Sequence, residues 1–360
     1  MPLTPRGPEM GGNFSFAIWH NMKIYDENGY VNIRGILEEG YPFNFCVGGR
    51  ATGKTYTSLK CAVEDDVRFM LMRRTQAQAD LISKPEFSVF KPLNDDLGWD
   101  IRVHSISKYN SEYYTEDSDG NRSPVGYTCA LSTLSNMRGF DASDIRLLIY
   151  DEFIPEKHER LLKNEADALF NAYETMNRNR ELKGKQPMQL LCLANANDIT
   201  NPVFESLGLI RIADKMQRGN SDRWTDDRRG IQLIMLHRSP ISRKKSKTAL
   251  YNLTEGTDFS SMALDNDFNV NRQHVRPRPL AEYTPVCMIG ELCIYRHKSE
   301  LRLYATTHLS GVFNKVYTLS DSDKLYYMQA YRAHWDAYIC GKIDFEDVTS
   351  EKIFLRVWDD

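Results

Sequence analysis

The chain has 360 residues, of which 41% are hydrophobic and 26% are charged, and its formal net charge is -3. This composition excludes a disordered chain and describes a soluble globular protein, while the length predicts two domains. No apolar run approaches the roughly 18 residues of a membrane helix, so no membrane partner is expected. The seven cysteines include no C-x-x-C pair, which favours free thiols in a reducing compartment over a zinc site.

The first part of the chain has the pattern of an α/β domain. Residues 1–20 contain several Pro and Gly and no apolar signal-peptide segment, so they predict a flexible tail. From residue 21 to 236 we expect one domain, in which short apolar runs alternate with helix-like stretches. The predicted strands of this domain are residues 43–47, 67–72, 147–150 and 189–194. Runs of this length are typical of strands buried on both faces of a mostly parallel sheet.

Two further elements follow from local patterns in this domain. Residues 112–131 place a "DG" turn between β-prone segments, which predicts a hairpin. Residues 163–182 carry apolar side chains at helical spacing, which predicts a helix packed on the core.

The character of the chain changes after residue 236. Residues 237–278 predict a basic linker or lid, and "RPRP" at 276–279 predicts a hinge. Residues 279–360 contain four strand-like runs and one helix rich in aromatic residues, which predicts a smaller α+β domain. Arg243, Lys244 and Lys245 lie in a stretch without acids. They are either a solvated basic face or contacts to nucleic-acid phosphates, and the sequence leaves both open.

A phosphate-binding loop (P-loop) follows the first predicted strand. The segment "GGRATGKT" fits G-x-x-x-x-G-K-[ST] and comprises Gly48, Gly49, Arg50, Ala51, Thr52, Gly53, Lys54 and Thr55. The glycines allow a tight turn whose N–H groups point at phosphate oxygens, and the following helix adds the positive end of its dipole. Lys54 can reach the β- and γ-phosphates of ATP, and the Thr55 hydroxyl can ligate Mg²⁺.

The carboxylate partner of this loop is predicted in "RLLIYDEF". Asp151 and Glu152 follow four apolar residues, at the edge of the sheet where α/β proteins place their ligands. We expect Asp151 to hold Mg²⁺ and Glu152 to polarise the attacking water. The alternative is that Asp151 only caps a turn.

Two more polar features have an expected role in ATP hydrolysis. Asn195 ends the next strand, where an amide can sense the γ-phosphate, although Asn is also common at strand ends for turn reasons. Arg178 and Arg180 lie in "MNRNRE" outside the apolar stripe of the helix. An arginine offered to an adjacent subunit would stabilise the transition state and would require a ring. Two surface arginines in salt bridges are an equally good interpretation.

Several blocks beyond the P-loop share one order along the chain, namely "SNMRGFDASDIRLLIYDEF", "NRNRE", "CLANANDITNPVF" and "YNLTEGTDFSSMALDNDF". This order resembles the viral DNA-packaging ATPases, above all the small packaging motors of the phi-twenty-nine-like phages. The "RG" before the "DE" strand is also similar to large terminase subunits. The resemblance runs from about residue 43 to 270 and is weaker beyond.

The resemblance implies a P-loop NTPase of the ASCE type that uses ATP and Mg²⁺. In the family, such subunits form a ring, usually a pentamer, on the portal of an empty capsid and drive double-stranded DNA inward. They act in the host-cell cytoplasm, transiently at the portal vertex, and are not expected in the mature virion. Some sit on a structural RNA adaptor, and the sequence leaves this open.

Residue roles also follow from the resemblance. Arg178 aligns with the arginine that acts in trans on the neighbouring site, and Arg138 aligns with a loop that faces the channel of the ring. Arg73 and Arg74 match a basic pair whose role stays open.

The C-terminal domain is expected to resemble an RNase H-like nuclease in vestigial form. Its acids, such as Glu291, Asp321, Asp336 and Asp344, are scattered, whereas a two-metal nuclease needs carboxylates converging on ions about 4 Å apart. The alternatives to a packaging ATPase are another P-loop translocase or helicase, a nucleotide-binding scaffold without turnover, and a nuclease-competent terminase large subunit.

Overall fold

The computed structural model describes residues 23–137, 140–156, 159–237, 239–257, 260, 264 and 273–358. Every helix within these ranges falls short of the length and apolarity that spanning a bilayer requires.

The first domain is built on a large mixed sheet. Among the described residues its strands are β1 (Phe43–Gly48), β2 (Phe69–Arg73), β3 (Arg102–Ser105), β4 (Asn110–Glu116), β5 (Arg122–Ala130), β6 (Leu147–Asp151), β7 (Gln189–Asn195), β8 (Arg223–Asp226) and β9 (Ile231–Leu236). Their order is β3-β4-β5-β2-β6-β7-β1-β9-β8. The six neighbouring strands β5, β2, β6, β7, β1 and β9 are parallel to one another. The edge strands pair antiparallel, with β3 and β4 at one side and β8 at the other. The predicted α/β class, the four predicted strands and the hairpin (β4 with β5) are confirmed.

The parallel strands are apolar throughout because both faces of the sheet are covered. In β1, Phe45 and Val47 pack into one buried cluster, whereas Cys46 packs into a second cluster on the opposite face. Successive side chains of a strand point to opposite faces, so two covered faces remove the alternation of polar and apolar residues. The strand β9 was not predicted, although all six of its residues are buried.

Helices connect these strands and cover the sheet. They are α1 (Ile33–Glu38), α2 (Lys54–Glu64), α3 (Gln76–Ile82), α4 (Lys91–Leu97), α5 (Glu165–Asn177), α6 (Pro202–Ser206), α7 (Ile210–Gly219), α8 (Pro240–Lys245) and α9 (Ala249–Leu253). Short 3₁₀ turns occupy Pro85–Phe87, Leu131–Met137, Glu181–Lys183 and Leu280–Glu282. The helix predicted at 163–182 ends earlier than expected, at Asn177. Arg178 and Asn179 adopt left-handed backbone angles, with φ of 47° and 56°, which terminate an α-helix.

The C-terminal part forms a separate sheet covered by helices. It comprises β10 (Tyr283–Ile289), β11 (Leu292–His297), β12 (Leu303–Thr306), β13 (Val316–Tyr317), β14 (Ile343–Phe345), α10 (Asp321–Ala330), α11 (Arg332–Ile339) and α12 (Val348–Trp358). The strand order is β13-β10-β11-β12-β14. The predicted α+β character is confirmed, but the single aromatic helix is wrong: Tyr331, with φ of -126° and ψ of 34°, separates α10 from α11. The domain boundaries at 236 and 278 stay predictions.

The two sheets are joined by contacts between α12 and the first domain. Arg211 Nε of α7 lies 2.7 Å from Asp347 Oδ2, and Val348 packs into the core of the first domain. Lys352 Nζ donates to Thr200 Oγ1 over 2.7 Å. Thr200 lies five residues after Asn195, so the C-terminal domain contacts the segment that leaves the end of β7.

Candidate nucleotide-binding site

The P-loop lies between β1 and α2, at the carboxyl edge of the parallel strands. Gly53 has a φ of 86° immediately before α2 begins at Lys54. A Cβ atom at Gly53 would lie 2.7 Å from the ring of Tyr30. Glycine is therefore required here by both backbone angle and space, and the first N–H groups of α2 face the cleft as an anion site.

Lys54 is held inside the loop. Its Nζ donates to the carbonyls of Gly48 and Gly49 over 3.1 and 2.8 Å and to Asn195 Oδ1 over 3.2 Å. Burial lowers the pKa of Lys54 to about 8, because desolvation penalises the charged ammonium. A bound polyphosphate would favour the charged form, so the side chain is poised for an anion.

Thr55 and Asp151 meet in the same cleft. Thr55 Oγ1 donates to Asp151 Oδ2 over 2.8 Å, and Asp151 is the last residue of β6. Burial raises the pKa of Asp151, and the nearby Arg73 lowers it in part. A hydroxyl and a carboxylate oxygen are hard ligands of the kind Mg²⁺ prefers. The residues present therefore fit a magnesium ion.

Arg73 bridges the two neighbouring carboxylates. One guanidinium nitrogen lies 3.1 Å from Asp151 Oδ2 and the other 2.6 Å from Glu152 Oε2. Glu152 has a φ of 59°, which is uncommon for a residue with a side chain and persists only where the surroundings enforce it. Its side chain is 53% exposed, so Glu152 reaches the open part of the cleft while Arg73 fixes its position.

Arg74 belongs to a different network. Its guanidinium contacts Glu165 at 2.8 Å, and the hydroxyl of Tyr150 donates to the same carboxylate over 2.6 Å. These buried groups fasten the start of α5 to β2 and β6. The basic pair therefore divides, with Arg73 in the site and Arg74 in the support behind it.

The cleft has a volume of about 390 Å³. Its lining comprises every residue from Arg50 to Tyr56 together with Asp151, Glu152, Ala194 and Asn195. The structure thus brings the predicted loop, both carboxylates and Asn195 to one place. The sequence left the role of Arg73 open, because nothing in its local pattern shows that β2 lies beside β6.

Arg178 lies at the opposite edge of the sheet. It donates to Asp141 Oδ1 and to the carbonyl of Phe140, both over 2.9 Å. These partners precede β6, whereas Asp151 ends it, and the strand alone spans about 13 Å at 3.3 Å per residue. Arg178 therefore does not reach the cleft of its own chain. Arg138 lies outside the described residues.

The three linker residues predicted to contact DNA, Arg243, Lys244 and Lys245, are placed differently from one another. Lys245, the last residue of α8, has its Nζ 3.3 Å from the carbonyl of Arg50 in the P-loop. Arg243 and Lys244 are exposed. The linker thus contributes a cation to the nucleotide cleft, which sequence spacing cannot show because 195 residues separate Lys245 from Arg50.

Comparison with known proteins shows the family of this chain. Residues 25–345 match the Podovirus DNA encapsidation proteins (Gp16). The chain belongs to this family. The chain is 26% identical over 249 residues to the DNA packaging protein of Bacillus phage phi29, covering 68% of this chain and 67% of that protein. It is 26% identical over 290 residues to that of Bacillus phage B103, covering 78% and 82%.

Two solved structures share its fold. The present chain superposes on a chain of the bacteriophage Phi-29 viral genome packaging motor assembly with a TM-score of 0.64 at 20% identity, covering 91% of this chain and 99% of that one. For the Phi-28 gp11 DNA packaging motor, the TM-score is 0.55 at 18% identity, covering 89% and 94%. The family resemblance stated from the sequence is confirmed.

Proposed function

We propose that this chain is the ATP-hydrolysing subunit of a ring that drives double-stranded DNA into a preformed capsid. The contact between Thr55 Oγ1 and Asp151 Oδ2 at 2.8 Å carries this proposal. It joins the P-loop to the carboxylate strand in one cleft, in a chain whose relatives are DNA packaging proteins. The position of β7 between β1 and β6 supports the ASCE type of P-loop domain.

The residues of the cleft divide the chemistry of hydrolysis between them. Thr55 and Asp151 would hold Mg²⁺, which offsets phosphate charge when bound. Gly48 to Gly53 present backbone N–H groups to the phosphates, and Lys54 binds the β- and γ-phosphates. Glu152 accepts a proton from the attacking water, and Arg73 keeps that carboxylate in place.

The subunit interface would complete the site. Arg178 lies beyond reach of its own cleft and half-exposed at the opposite edge, as an arginine acting on the next subunit must be. Asn195, bonded to Lys54, would register loss of the γ-phosphate and transmit it along the segment that reaches Thr200. A pentameric ring at the portal vertex, acting in the host cytoplasm and absent from the mature virion, is proposed by analogy with the family. The structural RNA adaptor stays open.

Grip on DNA should be on backbone phosphates, because a packaging motor must move any sequence. Arg138, Arg243 and Lys244 are the proposed contacts, and binding should weaken steeply with added salt.

We assign the C-terminal domain an RNase H-like shape without cleavage. Asp344 is buried and paired with Arg278 at 2.8 Å and Arg302 at 3.1 Å, so it is committed to structural partners. Within the described ranges, groups of three acidic, histidine or cysteine side chains suited to a metal are absent. Nicking of a plasmid by the full chain with Mn²⁺ would contradict this assignment.

The test of the proposed function is steady-state ATP turnover with duplex DNA, single-stranded DNA or empty capsids. Stimulation should require duplex and capsid together. Glu152→Gln should bind ATP and lose turnover by at least about a hundredfold. Equal turnover in this variant, or stimulation by single strands alone, would reject the assignment in favour of another translocase. Bound ATP without turnover in the unmodified chain would favour a scaffold.

A further inference from the structure

A basic pocket lies at the sheet edge opposite the P-loop. It has a volume of about 450 Å³, and five of the seven residues that line it are cations, namely Arg146, Arg178, Arg180, Lys183 and Lys185. The other two are neutral. The pocket is formed where the chain enters β6 and by the turn between α5 and β7, so it is separated from the ATP cleft by the length of the strands.

Three carboxylates lie near this basic pocket, fewer than its five cations. Asp144 pairs with Arg68 at 3.6 Å, and Glu181 accepts a hydrogen bond from Asn177 over 2.6 Å. Asp141 at the rim pairs with Arg178, itself a lining residue, at 2.9 Å. Among the described residues, the side chains of Arg146, Lys183 and Lys185 have no carboxylate partner. The pocket therefore keeps a surplus of positive charge.

The burial of the Arg180 guanidinium makes this surplus of positive charge energetically unfavourable. The side chain of Arg180 is 7% exposed and donates to the carbonyls of Ser143 and Ile145 over 2.9 and 2.5 Å. Burial lowers the pKa of Arg180, and the like charge of Arg146 lowers it further. A buried guanidinium is normally paired with an anion. Here the carbonyls orient the group, and the nearby carboxylates of Asp144 and Glu181 offset its charge only in part, since the pKa of Arg180 is still lowered.

We infer that the basic pocket binds a phosphate group, either of a nucleotide's polyphosphate or of a polynucleotide backbone. Arginine and lysine side chains converging in a concave surface are the usual means of holding phosphate oxygens. Binding would place an anion in direct contact with Arg146, Arg180, Lys183 and Lys185, none of which forms an ion pair with a carboxylate among the described residues. The inference goes beyond the proposed function by assigning Arg146, Lys183 and Lys185 to a phosphate group, whereas Arg178, which lines the same pocket, is already assigned to the neighbouring subunit.

The test uses the full chain with saturating ADP and Mg²⁺, so that the P-loop is filled. Inorganic tripolyphosphate is titrated by calorimetry into the triple variant Arg146→Gln, Lys183→Gln, Lys185→Gln. Arg178 and Arg180 are left unchanged, since one is assigned to the neighbouring site and the other bonds the backbone. The matched control replaces the exposed cations Lys91, Lys215 and Arg228 by Gln, which removes the same charge. Equal melting temperatures establish that both variants fold.

The inference predicts that the pocket variant binds tripolyphosphate at least about tenfold more weakly, while the control is unchanged. A second arm measures binding of a labelled 30-base-pair duplex against salt. If the backbone is the ligand, the slope of log K against log salt should fall by about 2 to 3 in the pocket variant only. Lost tripolyphosphate binding with an unchanged slope assigns the pocket to a nucleotide.

If neither quantity distinguishes the pocket variant from the control, the inference is overturned. Failure of the proposed function would instead appear as absent ATP turnover in the unmodified chain, which neither arm measures.

Discussion

Replacement of Arg73 by methionine tests the electrostatics of the ATP cleft. Methionine keeps much of the apolar stem and removes the charge that bridges Asp151 and Glu152. Only 11% of the Arg73 side chain and 4% of the Asp151 side chain are exposed. The variant therefore leaves a carboxylate buried without its cation.

The expected loss of stability follows from the two ion pairs of Arg73, one with Asp151 and one with Glu152. Breaking a buried ion pair from one side costs about 3 to 5 kcal/mol, whereas the half-exposed Glu152 contributes at most about 1 kcal/mol. Because Thr55 still donates to Asp151, we expect a loss near the lower limit, about 3 kcal/mol. For 360 residues, each with an unfolding entropy of about 2.1 cal/mol/K, that corresponds to a decrease in melting temperature of roughly 4 °C.

The loss should also depend on pH. Burial already raises the pKa of Asp151 above its ordinary value of 3.8, and Arg73 opposes this; removal of Arg73 should raise the pKa further. A carboxyl with a raised folded pKa keeps its proton in the folded chain where the unfolded chain has released it. The free energy of unfolding then falls as the pH rises through that interval. The deficit of Arg73→Met should therefore be larger at pH 7.5 than at pH 5.

The assay is urea denaturation of the full chain at both pH values, with Arg34→Met as the control. Arg34 also bridges two adjacent acids, Glu64 and Asp65, but its side chain is 41% exposed, so its loss should cost less than about 1 kcal/mol. Adding Asp151→Asn to Arg73→Met should recover about 2 kcal/mol, since no buried charge remains unpaired. Equal losses for Arg73 and Arg34, or a deficit that does not change with pH, would refute this account of the cleft.

Three further predictions concern other parts of the molecule. Arg178→Ala and Glu152→Gln should each be inactive alone. An equal mixture of the two variants should restore ATP turnover at about a quarter of the interfaces, because there one subunit supplies the arginine and its neighbour supplies the carboxylate. A mixture as inactive as its components argues against action in trans. Lys245→Gln should weaken ADP binding about three- to tenfold, because it removes a cation from beside the P-loop. The adjacent Lys244→Gln should leave ADP binding unchanged. Fluorescence titration of ADP into each variant measures both affinities. Burial lowers the pKa of His334 to about 4, so between pH 4 and 6.5 the unfolded chain binds more protons than the folded chain. The free energy of unfolding should therefore fall by about 2 kcal/mol from pH 7 to pH 5. Denaturation of His334→Gln, followed by tryptophan fluorescence, should show a smaller fall.

The sequence was sufficient for the features that local chain pattern controls. A buried strand followed by glycines, lysine and threonine specifies the P-loop, because the turn and the helix N-terminus lie within eight consecutive residues. The apolar run ending in Asp151 and Glu152 placed those carboxylates at the same edge, since parallel strands present their carboxyl ends together. The antiparallel hairpin of β4 and β5 was found for the same local reason, from its turn residues.

Tertiary structure decided the features that depend on which strands are neighbours. The position of β2 beside β6 gives Arg73 to the cleft, and the return of α8 over the P-loop gives it Lys245. The sheet order also separates Arg178 from the ATP cleft and gathers it with Arg146, Arg180, Lys183 and Lys185 into a basic pocket. Periodicity reports whether a strand is buried but not which strand lies beside it, so these long-range electrostatic contacts exist only once the chain has folded.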